Sequence, residues 1–178
     1  MAQPSSARRR IAAVALLLIV TVFCLYQFLP EESLLPGAQV DRVVVQKASR
    51  TMTLYQNGRA LKAYKISLGK EPIGPKARAG DGRTPEGNYA LDFRNTQSRF
   101  HKSLHISYPS AADRAAAQQL GANPGGDIMI HGLQNGLGWI GRFHRFWDWT
   151  DGCIAVTNSE IEEVWRSVRD GTPIEIHP

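Results

Sequence analysis

At 178 residues, 43% of them hydrophobic and only two of them cysteine, the chain can bury one real core but cannot build a disulfide framework. The formal charge is +5, yet three of those charges are Arg8, Arg9 and Arg10, the only charged residues before Glu31. The remainder lacks the dense basic face that a nucleic-acid partner requires, and none is expected.

Residues 1–10 read as a basic tail, and residues 11–29, IAAVALLLIVTVFCLYQFL, carry no charge and are long enough to cross a bilayer as one helix. By the positive-inside rule the arginines hold the N-terminus in the cytoplasm, so the chain after Pro30 emerges on the far side. No small-x-small site follows the apolar run, and an uncleaved anchor is favoured over a removed signal peptide. Cys24 then faces lipid or packs within the span. Residues 30–40, with two prolines and a glycine, read as a linker, and residues 41–178 as one domain.

The domain opens as a β-meander: a strand at Val43, Val44 and Val45, a second through Met52 and Leu54, the hairpin signal Asn57-Gly58, and a third strand to Leu68. Gly69 to Gly87 is too dense in glycine and proline for helix or strand and predicts a long, ordered surface loop. It lacks the Lys-Ser/Thr and following helix of a phosphate-binding loop. Strands resume over Asn88–Phe93 and Ser103–Ser107, where His101 and His105 read as polar residues of a half-exposed strand. Ser110 with Asp113 predicts a capped helix that Gly121 and Pro124 end. The short apolar run DIMI closes on His131, and a connection rich in glycine and aromatic residues leads to Thr150-Asp151-Gly152-Cys153. Thr157 with Glu160 caps a last helix, whose Ile161, Val164, Trp165 and Val168 face the core, and Pro173–Ile176 closes the chain as a strand.

Cys153 is the one cysteine outside the apolar N-terminal segment, and like His131 it lies beside a glycine at a strand end. A thiol and an imidazole so mounted suggest cysteine acyl transfer, with Cys153 as nucleophile and His131 as the base that takes and returns its proton. His144 is the weaker choice of base because it lies in a loop. A backbone carbonyl such as that of Gly132 would orient the imidazole, and the amides of Gly152 and Cys153 are the expected oxyanion donors. A metal site built from His131, His144, Asp148 and Cys153 matches no usual zinc spacing, and no cofactor is implied.

The motifs Ile130-His131-Gly132 and Thr150-x-Gly152-Cys153-Ile154, with the GDGRTPEG turn at 80–87, resemble the signature of the L,D-transpeptidase catalytic domain, the YkuD-like cysteine transpeptidases of the bacterial cell wall. The resemblance covers roughly residues 41–176. It implies a mainly β fold with small helices, a sandwich of mixed sheets, in a periplasmic domain held to the inner membrane by a single span. It also implies attack of Cys153 on a peptidoglycan tetrapeptide stem before its terminal D-alanine. The acyl group then passes to an amine, of a second stem to form a 3-3 crosslink or of another partner such as an outer-membrane lipoprotein. His131 matches the family's proton acceptor and donor, and Gly132 the position whose carbonyl orients it.

Two positions depart from the pattern. Asp151 stands where the family has histidine before Gly-Cys, and Ala155 where it has arginine or asparagine. Arg142 or Arg145 is therefore the expected holder of the substrate carboxylate, with Thr150 and Asp151 beside it. Asp151 is expected to turn away from the thiol. Hydrolysis of stem-peptide or peptidoglycan–lipoprotein bonds, and peptidoglycan binding without catalysis, are the alternatives.

Overall fold

The computed structural model describes residues 6–178; the first five residues of the expected basic tail lie outside the described part. The chain divides between residues 32 and 33. The first unit is helix α1, Ser6–Phe28, whose 23 residues span about 35 Å at 1.5 Å each. The arginine cluster belongs to this helix rather than preceding it. Its residues from Arg10 to Phe28 are long and apolar enough to cross a membrane, and apolar side chains such as Ile11, Leu17 and Phe28 are exposed all around it.

The second unit is mainly β. Strands β1 (Arg42–Gln46), β2 (Thr51–Gln56), β3 (Arg59–Lys65), β4 (Gly87–Asn95), β5 (Ser103–Ile106), β6 (Met129–His131), β7 (Ile154–Ala155) and β8 (Thr172–His177) form one eight-stranded mixed sheet in the order β3-β2-β1-β8-β4-β5-β6-β7. Helices α2 (Ala111–Gln119) and α3 (Asn158–Ser167) accompany it. One continuous sheet thus supplies the layers that the sequence reading divided between sheets. It curls far enough that its two ends meet: past β3, Ser67 exchanges backbone hydrogen bonds of 2.8 and 3.0 Å with Ala155 of β7.

Alternation sets the register. Val43 pairs with Leu54 on one side and Ile174 on the other, and Val45 with Met52 and Ile176, so each row of inward residues is apolar across three strands. All six are buried in the core. The turn between β2 and β3 holds Asn57 and Gly58 at φ 51° and 76°, the pair of positive values that a two-residue hairpin needs. Both expected helix caps form as full capping boxes, Ser110 with Asp113 and Thr157 with Glu160.

The expected linker is only partly one. Leu34 packs against the core, its amide meets Glu163 at 3.3 Å, and Val40 bridges to Val168, so the domain begins at Ser33 rather than Asp41. Apolar Leu34 and Val40 find a partner in α3 and the turn after it, which spacing along the chain does not reveal.

Candidate active site

The loop from Gly69 to Gly87 contains no helix or strand before β4, yet it is fixed from within. The Asp81 carboxylate accepts the amides of Ala77, Arg78 and Arg83 at 2.7, 3.0 and 3.1 Å and the Lys76 ammonium at 2.8 Å. Burial works against its charge, but these donors outweigh burial and hold the carboxyl at about 2. Buried Lys47 reaches up from the end of β1 to the carbonyls of Gly74 and Thr84 and to Glu86. The Arg83 carbonyl of this loop lies so close to Gly152 that a β-carbon there would stand 2.6 Å from it. Gly152 also holds φ 132°, which a side chain would oppose on its own account.

Cys153 follows directly and immediately precedes β7. Because β6 and β7 run parallel with His131 opposite Ala155, the residue two before Ala155 projects on the same face as His131. Cys153 and His131 line one groove of about 440 Å³. The thiol is half-buried and donates to the Asp127 carbonyl at 3.5 Å. Burial pushes its pKa up; the Met129 amide and Lys76 favour the thiolate, while Asp151 and Asp127 oppose it.

His131 is buried, and its Nδ1 lies 2.7 Å from the Gly132 carbonyl. A carbonyl only accepts, so Nδ1 carries the proton and Nε2 is left as the base. Burial lowers its pKa to about 4, against the Gly132 carbonyl, which favours the charged form. The ring is flanked by Phe100, 4.5 Å between centroids, and Trp149, 5.6 Å and edge-on. With the thiol raised and the imidazole lowered, both groups are neutral at rest.

Of the remaining expected site residues, Thr150 and Asp151 line the groove and the two arginines do not. Thr150 is buried, and its hydroxyl builds the turn: it donates to the Cys153 carbonyl at 2.7 Å and accepts the Gly152 amide at 3.1 Å. That hydrogen bond engages one of the two amides expected as oxyanion donors and leaves the amide of Cys153. Asp151 turns to solvent, as expected, and pairs with Lys70 at 2.8 Å. Neither Arg142 nor Arg145 lines the groove. Arg145 is drawn to Glu160 at 2.6 Å, two side chains only 11% and 5% exposed, so the helix cap takes the guanidinium that sequence assigned to substrate. The connection carrying both arginines is not open loop but two short 3-10 turns over Gly138–Phe146, kinked at Gly141.

His144 on these turns is buried, its Nδ1 3.1 Å from the Ser67 hydroxyl and its pKa lowered to about 3 by burial, Arg145 and His131. Asp148 binds Arg50 at 2.9 Å and the Leu68 amide at 2.9 Å. The four groups considered as metal ligands therefore do not converge, and no set of three such side chains does among the described residues. His101 and His105 instead pair with Glu162 and Asp92, both at 2.8 Å or less. Sequence reading overlooked Phe100 and Arg99, both in the groove; an aromatic residue next to a histidine-bearing strand was the available signal.

Residues 40–176 match the family model of the L,D-transpeptidase catalytic domain, YkuD. The chain belongs to this family. YafK of Escherichia coli is 31% identical over 132 residues, covering 71% of this chain and 46% of that protein. The cell-shape-determining protein Pgp2 of Campylobacter jejuni superposes with a TM-score of 0.60 at 25% identity, over 79% of this chain and 48% of that one. An L,D-transpeptidase from Xylanimonas cellulosilytica gives 0.51 at 15% identity, over 83% and 65%, a likeness of fold. The L,D-transpeptidase domain thus accounts for nearly everything after α1, and the chain spans about half the length of the curated relatives it matches.

Proposed function

We propose that the protein is a cysteine L,D-transpeptidase that acts on peptidoglycan stem peptides. The observation that carries the reading is the His131 tautomer: the Gly132 carbonyl holds Nδ1–H, and Nε2 is left basic in the groove that Cys153 lines. As the thiol attacks the carbonyl carbon before the terminal residue, Nε2 takes its proton. The oxyanion draws on the Cys153 amide, and Met129 supports the sulfur as it gains charge. Collapse expels the amine of the terminal residue, which takes the proton from the imidazolium, and leaves a thioester on Cys153. An incoming amine gives its proton to Nε2, attacks the thioester and restores the thiol. A second stem's side-chain amine gives a 3-3 crosslink; an amine-bearing lipoprotein gives an attachment.

Helix α1 in this reading is a single-pass anchor in the inner membrane, with the domain in the periplasm. Its length, its apolar character and the arginines at its start support that orientation.

Intact-mass analysis of the protein with a tetrapeptide stem tests the reading. An adduct of the stem less its terminal residue is expected on wild type, absent in Cys153→Ala and slowed by ~10²-fold or more in His131→Ala. No adduct on wild type would overturn the proposal. Products then identify the acceptor: crosslinked dimers mark an amine, and shortened monomers mark water and a peptidase or amidase instead.

A further inference from the structure

Arg99 is the one lysine or arginine lining the groove of Cys153 and His131. Four cations on neighbouring segments are engaged: Lys70 by Asp151, Lys76 by Asp81, Lys102 by Glu162 and Arg145 by Glu160. No carboxylate among the described residues lies within ion-pair distance of Arg99, whose residue is exposed. Its mount is nevertheless firm. Asn135 grips the backbone on both sides of it, its amide on the Arg99 carbonyl at 2.9 Å, its side chain on the Ser98 carbonyl at 3.1 Å and on the His101 amide at 2.9 Å. The next residue, Phe100, lies against the His131 ring. An arginine without a counter-charge is thereby mounted, by a fixed backbone, on the imidazole side of the groove.

That side is where the leaving residue must lie, because the imidazolium protonates its amine. The acids lining the groove, Asp127 and Asp151, belong to the thiol side: Asp127 through its carbonyl on the sulfur, Asp151 in the turn before it. A substrate carboxylate is repelled there and drawn to Arg99. Resting on the acyl-transfer reading above, we infer that Arg99 binds the free α-carboxylate of the residue that leaves, so that the enzyme acts only at the C-terminal end of a peptide. A guanidinium suits this task because it takes a carboxylate by two parallel N–H bonds. The bond broken is then always the last amide of the stem.

Two tetrapeptide stems that differ only in a terminal carboxylate or a terminal carboxamide test the inference, with full-length wild type, Arg99→Gln and Arg99→Lys. Wild type is expected to acylate from the acid with a KM about tenfold below that for the amide, the range of a charge-assisted hydrogen bond in an open groove. Arg99→Gln should lose the distinction by raising KM for the acid alone, with kcat little changed, and Arg99→Lys should recover part of it. Equal use of acid and amide by wild type, or an undiminished preference in Arg99→Gln, would overturn the inference and leave the acyl-transfer reading standing. Absence of any adduct from either peptide on wild type would instead remove that parent reading.

Discussion

Burial holds His131 as a neutral ring, and the same burial ties the base of the proposed reaction to stability. Its pKa is about 4 in the fold against an ordinary 6.5 for the unfolded chain, so between those values only the unfolded chain binds the proton. Stability is therefore full above 6.5, falls as pH drops through this window, and stops falling on this account below about 4. The span corresponds to about 3 kcal/mol at 1.36 kcal/mol per pKa unit. Denaturant midpoints measured from pH 7 to pH 4 should fall steeply in wild type and less steeply in His131→Gln, whose amide does not titrate. A parallel slope in the two would show that other groups govern acid sensitivity. That Cys153 and His131 share one groove was legible in sequence, because each lies at a strand end beside a glycine, His131 ending β6 and Cys153 preceding β7, and strand ends fix direction. The arginine that lines the groove was not. Which guanidinium is engaged depends on acids distant in sequence: Glu160 takes Arg145, fifteen residues away, while Arg99 meets none.

Turns and caps are the elements that carry the site. Gly152 has Arg83 of the long loop at its back and the thiol at its front, so Gly152→Ala must move one or the other. Acylation by the stem peptide is expected to fall by at least ~10²-fold, the cost of displacing a reacting group by about 1 Å, while circular dichroism shows the sheet intact. Activity near wild type would mean that the two segments part easily. Local chemistry made the elements readable: the positive-φ pair at Asn57 and Gly58 and the Ser110 and Thr157 capping boxes need only neighbouring residues. The 3-10 turns over Gly138–Phe146 were not readable. Their glycines favour open loop, and it is tertiary contact, His144 with Ser67 and Arg145 with Glu160, that winds them.

Across the whole molecule, the meeting of the sheet's two ends places the catalytic turn at the seam, since Ser67 and Gly69 bridge to Ala155 and Thr150 on either side of Cys153. A mainly β domain could be expected from alternation, and mixed sheets from the family resemblance, but not the closure, which joins residues 88 and 81 apart by single bridges. The remaining unit, α1, makes a separate prediction: full-length protein should stay in the membrane fraction through carbonate washing, and a chain starting at Ser33 should not. Release of a product shortened by the length of α1 would speak for a cleaved signal segment. One more property follows from the three rings packed at the site. Trp149 stands edge-on to the base at 5.6 Å, close enough for an imidazolium to quench indole emission, whereas the neutral ring quenches little. In the proposed reaction, proton transfer to His131 is therefore expected to dim the protein's own fluorescence, so that an unlabelled sample in a stopped-flow cell would report the acylation step optically.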